Sequence, residues 1–228
     1  SFPNMKKKIL PVLVVIALIF LIILGVLCSS YIKKYTPSKE HNDLATYFGT
    51  SSTEQIAIIY NHELIETTAY YLDGSIYLDY QFVHDNLNPR FYWDVNENIL
   101  LYTTASDLIS VESDSTSYLV TKSTTEYGKP IAKANASSAW VEIDFVKQYS
   151  DFEYSFFENP NRLVLDNVYG ERQVASSKRN GVVRELGGIK SPILKDTEKG
   201  EALIVLEEMD KWVKVQTSDG IIGYMKSN

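Results

Sequence analysis

Two stretches of this 228-residue chain match each other without a gap at a fixed distance of 63 positions, the distance from Tyr77 to Trp140. Residues 76–83 lie over residues 139–146. The same offset aligns Phe91 with Tyr154, Trp93 with Phe156, Asn96 with Asn159, Asn98 with Asn161 and Leu100 with Leu163. A self-match at one period is typical of a duplicated structural unit. The sequence therefore predicts two copies of a small module in the middle of the chain, and not one enzyme-sized core.

An apolar run lies close to the N-terminus. Residues 9–28 carry no charge and follow directly on Lys6, Lys7 and Lys8. A helix needs about 20 apolar residues to cross a bilayer core of about 30 Å, and flanking lysines stay on the cytoplasmic side. We interpret residues 1–8 as extra residues before Met5 followed by the cytoplasmic lysines, and residues 9–28 as a transmembrane anchor.

The alternatives to an uncleaved anchor are a cleaved signal peptide and a lipid-attachment site. A cleaved signal peptide has an apolar region of about 7–15 residues, so the longer run favours an uncleaved anchor, although Cys28 and the two serines after it suit a cleavage site. Lipid attachment at Cys28 is disfavoured by Leu27, where a small residue is expected. The predicted location is the cell membrane, with a single pass and the C-terminal part outside the cell. Because Cys28 is the only cysteine, disulfides within one chain are excluded.

Charge is distributed unevenly along the exported part. Residues 41–170 carry 6 Lys+Arg against 19 Asp+Glu, whereas residues 171–228 carry 10 against 9. A strongly acidic module repels the phosphates of nucleic acids. We therefore expect no nucleic-acid partner.

Each of the two matching units is predicted to contain a strand, a short helix and a hairpin. In the first unit, residues 76–78 form the strand, Asp79 caps a helix that ends before Pro89, and residues 91–93 pair with 99–102. In the second unit the corresponding ranges are 139–141, 143–149, 154–157 and 163–165. Glycine turns and the alternation in Trp212-Val213-Lys214-Val215 predict a small β-barrel at the C-terminus. The predicted divisions are a spacer at 29–53, repeats at 54–110 and 117–167, a linker at 168–180 and the barrel at 181–228.

Three resemblances extend this interpretation. One set of residues follows a fixed order: Tyr77-Leu78-Asp79, Phe82-Val83 and Phe91-Tyr92-Trp93-Asp94, with Asn98 and Leu100. This order resembles the stalk-like domain named from the amino-terminal region of copper amine oxidases. The name implies no copper. A second set follows near the C-terminus: Lys199-Gly200, Trp212-x-Lys214-Val215, Asp219-Gly220 and Gly223-Tyr224. This order is similar to bacterial SH3-like domains of cell-wall proteins. Residues 186–190 stand in place of the usual opening motif of those domains. The whole arrangement resembles the amino-terminal half of anchored family 18 glycoside hydrolases, carried by residues 87–93 and 187–194.

The resemblances imply an α+β fold class, with tandem small β-sheet/helix repeats, then an SH3-like β-barrel, and a transmembrane helix at the N-terminus. The recurring aromatic residues are predicted to lie in the repeat cores: Tyr77, Phe82, Phe91, Trp93, Trp140, Phe145 and Phe156. Trp212 and Tyr224 are the candidate ligand-binding residues, because flat rings suit a groove in such a barrel.

No catalytic set is present in the sequence. The spaced acidic run of family 18 enzymes is missing, and Asp94, Asn96 and Glu97, the nearest group, fall in a predicted turn. His41, His62 and His84 lack the spacing of metal ligands. We therefore assign no catalytic residue, metal or cofactor within residues 1–228.

The predicted function is a non-catalytic, membrane-anchored cell-envelope module that positions a partner or a C-terminal glycoside hydrolase at the cell wall. Its expected partners are the membrane and peptidoglycan or another wall glycan. One alternative is an anchored interaction or regulatory protein whose SH3-like barrel binds a peptide or an envelope protein. Another is an enzyme that hydrolyses wall glycan itself.

Overall fold

The computed structural model describes residues 2–168, 170 and 172–227, with side chains from residue 9 onward. The predicted linker and barrel each include residues outside this description, at 169, 171 and 228. The helices are α1 (Phe2–Tyr35), α2 (Leu44–Phe48), α3 (Tyr80–Phe82), continued by a π-helix (Val83–Leu87), and α4 (Ile143–Gln148). The strands are β1 (Gln55–Tyr60), β2 (Glu63–Leu72), β3 (Ser75–Asp79), β4 (Phe91–Asp94), β5 (Ile99–Thr103), β6 (Leu108–Glu112), β7 (Ser117–Val120), β8 (Ser123–Glu126), β9 (Ala132–Ala134), β10 (Ala139–Glu142), β11 (Glu153–Phe157), β12 (Arg162–Asp166), β13 (Val174–Ser176), β14 (Gly181–Arg184), β15 (Ile193–Thr197), β16 (Ala202–Glu208), β17 (Trp212–Thr217) and β18 (Ile222–Lys226).

The chain is mostly β, with a few helices and a long apolar helix at its N-terminus. From Ile9 to Tyr35, α1 is long and apolar enough to cross a membrane, and its side chains are exposed along this whole length. From Ile9 onward the helix therefore contributes nothing to the cores of the rest of the described chain.

Three sheets form the rest of the molecule. The order of the seven-stranded sheet is β11-β12-β1-β2-β3-β10-β9, in which only β1 and β12 are parallel. A five-stranded sheet runs β4-β5-β6-β7-β8, and the C-terminal sheet runs β13-β16-β17-β18-β14-β15 as an open barrel. Central strand β1 is apolar on both faces, because Ile56 and Ile58 enter one core while Ala57 and Ile59 enter another.

The two matching units are not separate bodies. Strand β12 of the second unit pairs with β1 of the first, and β3 pairs with β10, so both units share one sheet and one core. The predicted repeat boundaries at 54–110 and 117–167 therefore cut through shared sheets. Pairing between distant strands is not encoded in local sequence patterns, so a division of the chain in sequence order does not predict it.

Both units nevertheless have the same local order of elements. Asp79 Oδ1 accepts a hydrogen bond from the backbone N of Phe82 at 3.1 Å, and Glu142 Oε2 accepts one from the N of Phe145 at 2.9 Å. Each carboxylate caps the helix that follows it, and the two caps are 63 positions apart. Across the β3–β10 pair, Leu78 faces Val141, its counterpart in the other unit.

Two of the aromatic residues predicted to be core are only half-buried. Trp140 lies on the face of the seven-stranded sheet opposite Val141, with its ring 5.7 Å from that of Tyr70 in an edge-on arrangement. Phe156 is stacked on Tyr71 at 5.1 Å between ring centroids. Their counterparts Tyr77 and Trp93 are buried, as are the other three: Phe82, Phe91 and Phe145.

Residues 38–48, within the predicted spacer at 29–53, are packed against the C-terminal barrel. The amides of Ser38 and Asn42 donate to the carbonyls of Ile189 and Ile193, each at 2.8 Å, and Ile193 N donates to Glu40 O at 2.8 Å. His41 and Ile193 form a parallel bridge. Backbone groups on this segment find partners on the barrel, so the barrel is held next to the end of α1 and not away from it.

Helix α2 and the turn between β17 and β18 attach the barrel to the seven-stranded sheet. Phe48 of α2 is buried in a core shared with Ile59, Val215 and Ile221. Gly220 lies in this turn at φ +87°, and a Cβ placed on it would lie 2.8 Å from Cγ2 of Val164. Only glycine combines this left-handed backbone with so close an approach.

Candidate functional site

Trp212 and Tyr224 lie on neighbouring strands of the C-terminal barrel. Trp212 begins β17 opposite Lys226, and Tyr224 of β18 is paired with Lys214. Because side chains alternate between faces, both rings lie on the face opposite Val213 and Met225. Each ring is half-buried under Gly187: a Cβ placed on Gly187 would lie 3.5 Å from Cγ of Trp212 and 3.7 Å from Cδ1 of Tyr224.

A groove of about 760 Å³ opens on the other face of the same strands. Its floor consists of apolar side chains, of which Leu203 and Val215 are buried and the others are half-buried: Val182, Val205, Val213 and Met225. Its rim is polar and includes residues 176–180, Glu208, Lys226 and Ser227. Trp212 borders the groove, whereas Tyr224 does not. The structure therefore brings the two predicted residues together under Gly187 but places only one of them at the groove.

The groove exists because two strands diverge. Strand β14 pairs with β15 from Gly181 to Arg184, but it meets β18 at the single pair Arg184–Tyr224. On the other side, β13 pairs only with β16. The inner face of the barrel is thus left open between these strands, and an apolar floor with a polar rim is the usual form of a ligand site.

Several cations lie around the groove. Lys178, Arg179 and Lys226 are exposed on its rim, and Glu208 is the carboxylate among its lining residues. Arg184 is buried, and its Nη1 donates to the carbonyls of Ser38 at 2.9 Å and Ser191 at 2.7 Å. Burial lowers the pKa of Arg184. Arg184 therefore serves to fix the groove wall, and the exposed rim is left with a positive excess that favours an anionic ligand.

A charged network joins the barrel to the seven-stranded sheet. Arg162 Nε donates to the backbone O of Asp219 at 2.7 Å, and Lys195 Nζ lies 3.0 Å from Asp219 Oδ1 and 2.6 Å from Glu201 Oε1. Burial acts to raise the pKa of Asp219, but hydrogen bonds from Thr217 and Lys195 outweigh it, and the pKa is held below its usual value. Burial lowers the pKa of Arg162 despite its pairing with Asp219. This network fixes the orientation of the barrel.

The acidic residues and histidines considered for chemistry have structural contacts. Asp94 Oδ1 accepts hydrogen bonds from the backbone N of Asn96 and Glu97, which closes the β4–β5 turn. His84 Nδ1 lies 2.8 Å from Phe91 O, and His62 Nδ1 lies 2.5 Å from Gln216 Oε1. Over the described residues, no group of three or more His, Cys, Asp or Glu side chains is arranged to hold a metal ion.

Two further grooves lie away from the barrel. One, of about 280 Å³, is lined by Glu54, Tyr70, Leu72, Lys133 and Trp140. The other, of about 490 Å³, lies between α3, the β4–β5 turn and residues 135–139, with Trp93 among its lining. Trp140 was predicted to be core, and its place beside a groove was missed because the repeat comparison assigned it the environment of Tyr77.

Comparison with known families decides the nature of the barrel. The profile of the bacterial SH3 domain family matches residues 180–228. This part of the chain is a bacterial SH3 domain. No curated protein and no solved structure matches the chain significantly. The groove residues of the SH3 domain were not predicted from the sequence; their one signal was the alternation of Val213 and Val215, which marked an inner face without showing that it is open.

Proposed function

We propose that this protein is a non-catalytic, membrane-anchored module of the bacterial cell envelope, whose SH3 domain binds peptidoglycan or another wall glycan. The observation that carries the proposal is the open groove of the SH3 domain, with an apolar floor and exposed cations on its rim. Wall polymers combine sugar rings, short peptides and anionic groups, and these chemistries fit such a groove. Trp212 supplies a ring at the border, and Tyr224 supplies a second ring beside it under Gly187, outside the groove lining.

Retention on purified, insoluble peptidoglycan tests this role. We expect the parent chain to be retained weakly and Trp212→Ala together with Tyr224→Ala to abolish retention. Tyr92→Ala is the matched control, because Tyr92 is an exposed ring on β4, outside the SH3 domain. Since both target rings are half-buried, Lys226→Glu provides a second test at an exposed rim position. Equal retention of all variants overturns the groove assignment.

The second candidate is a regulatory or interaction protein whose SH3 domain binds a peptide. The same groove favours this candidate. Strands β14 and β18 pair at one position only, so an extended peptide has room to add as a strand where they diverge. Competition separates the two candidates. Soluble glycan strands freed of stem peptides displace the protein from the wall if sugar rings are bound, whereas free stem peptides displace it if the peptide is bound.

We further propose that α1 remains in the membrane as an uncleaved anchor. Its length from Ile9 to Tyr35, its apolar composition and its complete exposure support a bilayer environment. Fractionation tests the anchor: the protein is expected in the membrane pellet after a salt wash. Recovery of a soluble form that begins near Tyr31 would show that the segment is a cleaved signal.

The matching units are proposed to be a duplication of the copper amine oxidase N-terminal-like stalk domain. The equivalent helix caps Asp79 and Glu142, and the pairing of Leu78 with Val141, support a duplication. The proposed link to a family 18 glycoside hydrolase rests on sequence resemblance alone. The coding sequence beyond Asn228 tests it, because a catalytic barrel with spaced acidic residues is expected there.

A further inference from the structure

The end of α1 has the composition of a membrane–water boundary. Tyr31 and Tyr35 have ring centroids 4.5 Å apart, and Lys34 Nζ lies 5.5 Å from the centre of the Tyr35 ring. Lys33 lies beside them in the last turn. Tyrosines collect at the headgroup level of membranes, and lysines extend their ammonium groups toward lipid phosphates. This turn therefore marks the bilayer surface if α1 spans the membrane.

One loop of the SH3 domain is attached to this boundary. Lys190 Nζ donates to the carbonyl oxygens of Lys33 and Thr36, each at 2.5 Å. These carbonyls lie at the C-terminal end of α1, where helix carbonyls lack intrahelical donors and a cation is favoured. The ammonium of Lys190 thus ties the SH3 domain to the level of the headgroups.

The loop is held in one shape by its own hydrogen bonds. Glu185 N donates to Pro192 O at 3.0 Å, Leu186 N to Ser191 Oγ at 2.8 Å, and Gly188 N to Leu186 O at 2.9 Å. The side chain at its tip is apolar: Leu186 is 66% exposed. A closed loop that exposes Leu186, four residues before the lysine that binds the helix end, combines an apolar tip with a cation as a membrane-surface contact does.

The charge of this region favours an anionic surface. Lys33, Lys34, Lys39 and Lys190 lie on the helix end, the following segment and the loop, and all are exposed. Against these four lysines stand two acidic residues, Glu40 within residues 29–42 and Glu185 within residues 185–192. Lysines near an anionic membrane are attracted to its surface.

We propose that the SH3 domain rests on the outer surface of the membrane that holds α1, with Leu186 inserted among the lipid headgroups and Lys33, Lys34 and Lys39 facing lipid phosphates. This inference rests on the proposed anchoring by α1. It goes beyond anchoring because it assigns the lipid surface as a binding partner of the SH3 domain itself. It also places the groove next to the bilayer, since Pro37 and Ile189 border the groove.

Spin labels on the full chain test the inference. In a Cys28→Ser background, Leu186→Cys, Ile16→Cys and Val95→Cys are labelled separately with a nitroxide. Each protein is reconstituted into vesicles of phosphatidylcholine and phosphatidylglycerol. Collisions with oxygen, which concentrates in lipid, are compared with collisions with a water-soluble nickel chelate. Val95 is the matched control, since it is 68% exposed on the β4–β5 turn, away from the loop.

We expect the ratio of oxygen to nickel collisions to be higher at Leu186 than at Val95, and highest at Ile16. Lys190→Ala should lower the ratio at Leu186 toward that of Val95, and Lys190→Arg should restore it. A low ratio at Leu186 with a high ratio at Ile16 overturns the inference and leaves the anchor intact. A low ratio at Ile16 overturns the proposed anchoring.

Discussion

The environment of each aromatic side chain depends on which neighbours cover it. Trp93 is 7% exposed, whereas Trp140, on the open face of the seven-stranded sheet, is half-buried. The sequence alone assigned both to a core. The periodic match identified equivalent positions correctly as positions on strands, but it contains no information about the chain that packs over each strand.

This difference predicts unequal losses of stability. Trp93→Ala should lower the free energy of unfolding by about 3–5 kcal/mol, because a core ring is replaced by a cavity. Trp140→Ala should cost only about 1–2 kcal/mol, because much of its ring already contacts water. Urea denaturation of both variants measures the difference. Equal losses would contradict the burial described for Trp140.

Gly220 allows a second prediction at this scale. Gly220→Ala should destabilise the protein by about 2–4 kcal/mol, because the new methyl group meets Val164 at a backbone conformation that already strains an L-residue. Gly200→Ala is the matched control: Gly200 has φ +89° and open space around it, so only the strain of about 1 kcal/mol applies. The difference between the two variants, measured by thermal or urea unfolding, reports the close contact alone.

At the scale of elements, the sequence predicted what is encoded locally. The Asp73-Gly74 turn adopts positive φ at both residues and joins β2 to β3, and Asp79 caps the helix as expected. The parallel pairing of β1 with β12 was not predictable, since about 100 residues separate the strands and either strand fits several neighbours. The packing of residues 38–48 on the barrel was not predictable for a related reason: polar composition resembles a linker whether or not the backbone is hydrogen-bonded to another element.

The paired segment after α1 predicts slow hydrogen exchange. The amides of Ser38 and Asn42 are each hydrogen-bonded across the contact between segment and barrel, so they should exchange much more slowly than in an unstructured chain. Mass spectrometry of peptides covering residues 37–43 measures this, with a synthetic peptide of the same sequence as the control. Exchange as fast as in the synthetic peptide would show that the segment is a free spacer.

At the scale of the whole molecule, the sheet and the SH3 domain share one of the two cores. Ile59 and Ala57 of β1 pack with Val183, Leu194 and Val215 of the SH3 domain. Units that share a core lose stability together. We therefore expect residues 36–228 to unfold in one thermal transition by calorimetry, and two well-separated transitions would contradict the shared core.

Acid should weaken the contact between the seven-stranded sheet and the SH3 domain. The folded pKa of Asp219 is lower than its unfolded value, so its contribution to stability is present above about pH 4 and is lost as the pH falls through the folded pKa. Asp219→Asn should cost about 1–3 kcal/mol at pH 7, because Arg162 and Lys195 lose a charged partner. The variant should also lose less stability than the parent between pH 5 and pH 2. Urea denaturation across this range, with the exposed Asp210→Asn as control, measures both effects.

The short connection between α1 and the SH3 domain limits how far the groove can travel. Five residues, from Thr36 to Glu40, span at most about 17 Å even when fully extended, and here they are fastened along the barrel. With α1 in the bilayer as proposed, the groove is expected to sample a thin layer beside the membrane and not the depth of the wall. A ligand already confined to that layer is met at a high effective concentration, so that weak affinity suffices for lasting occupancy.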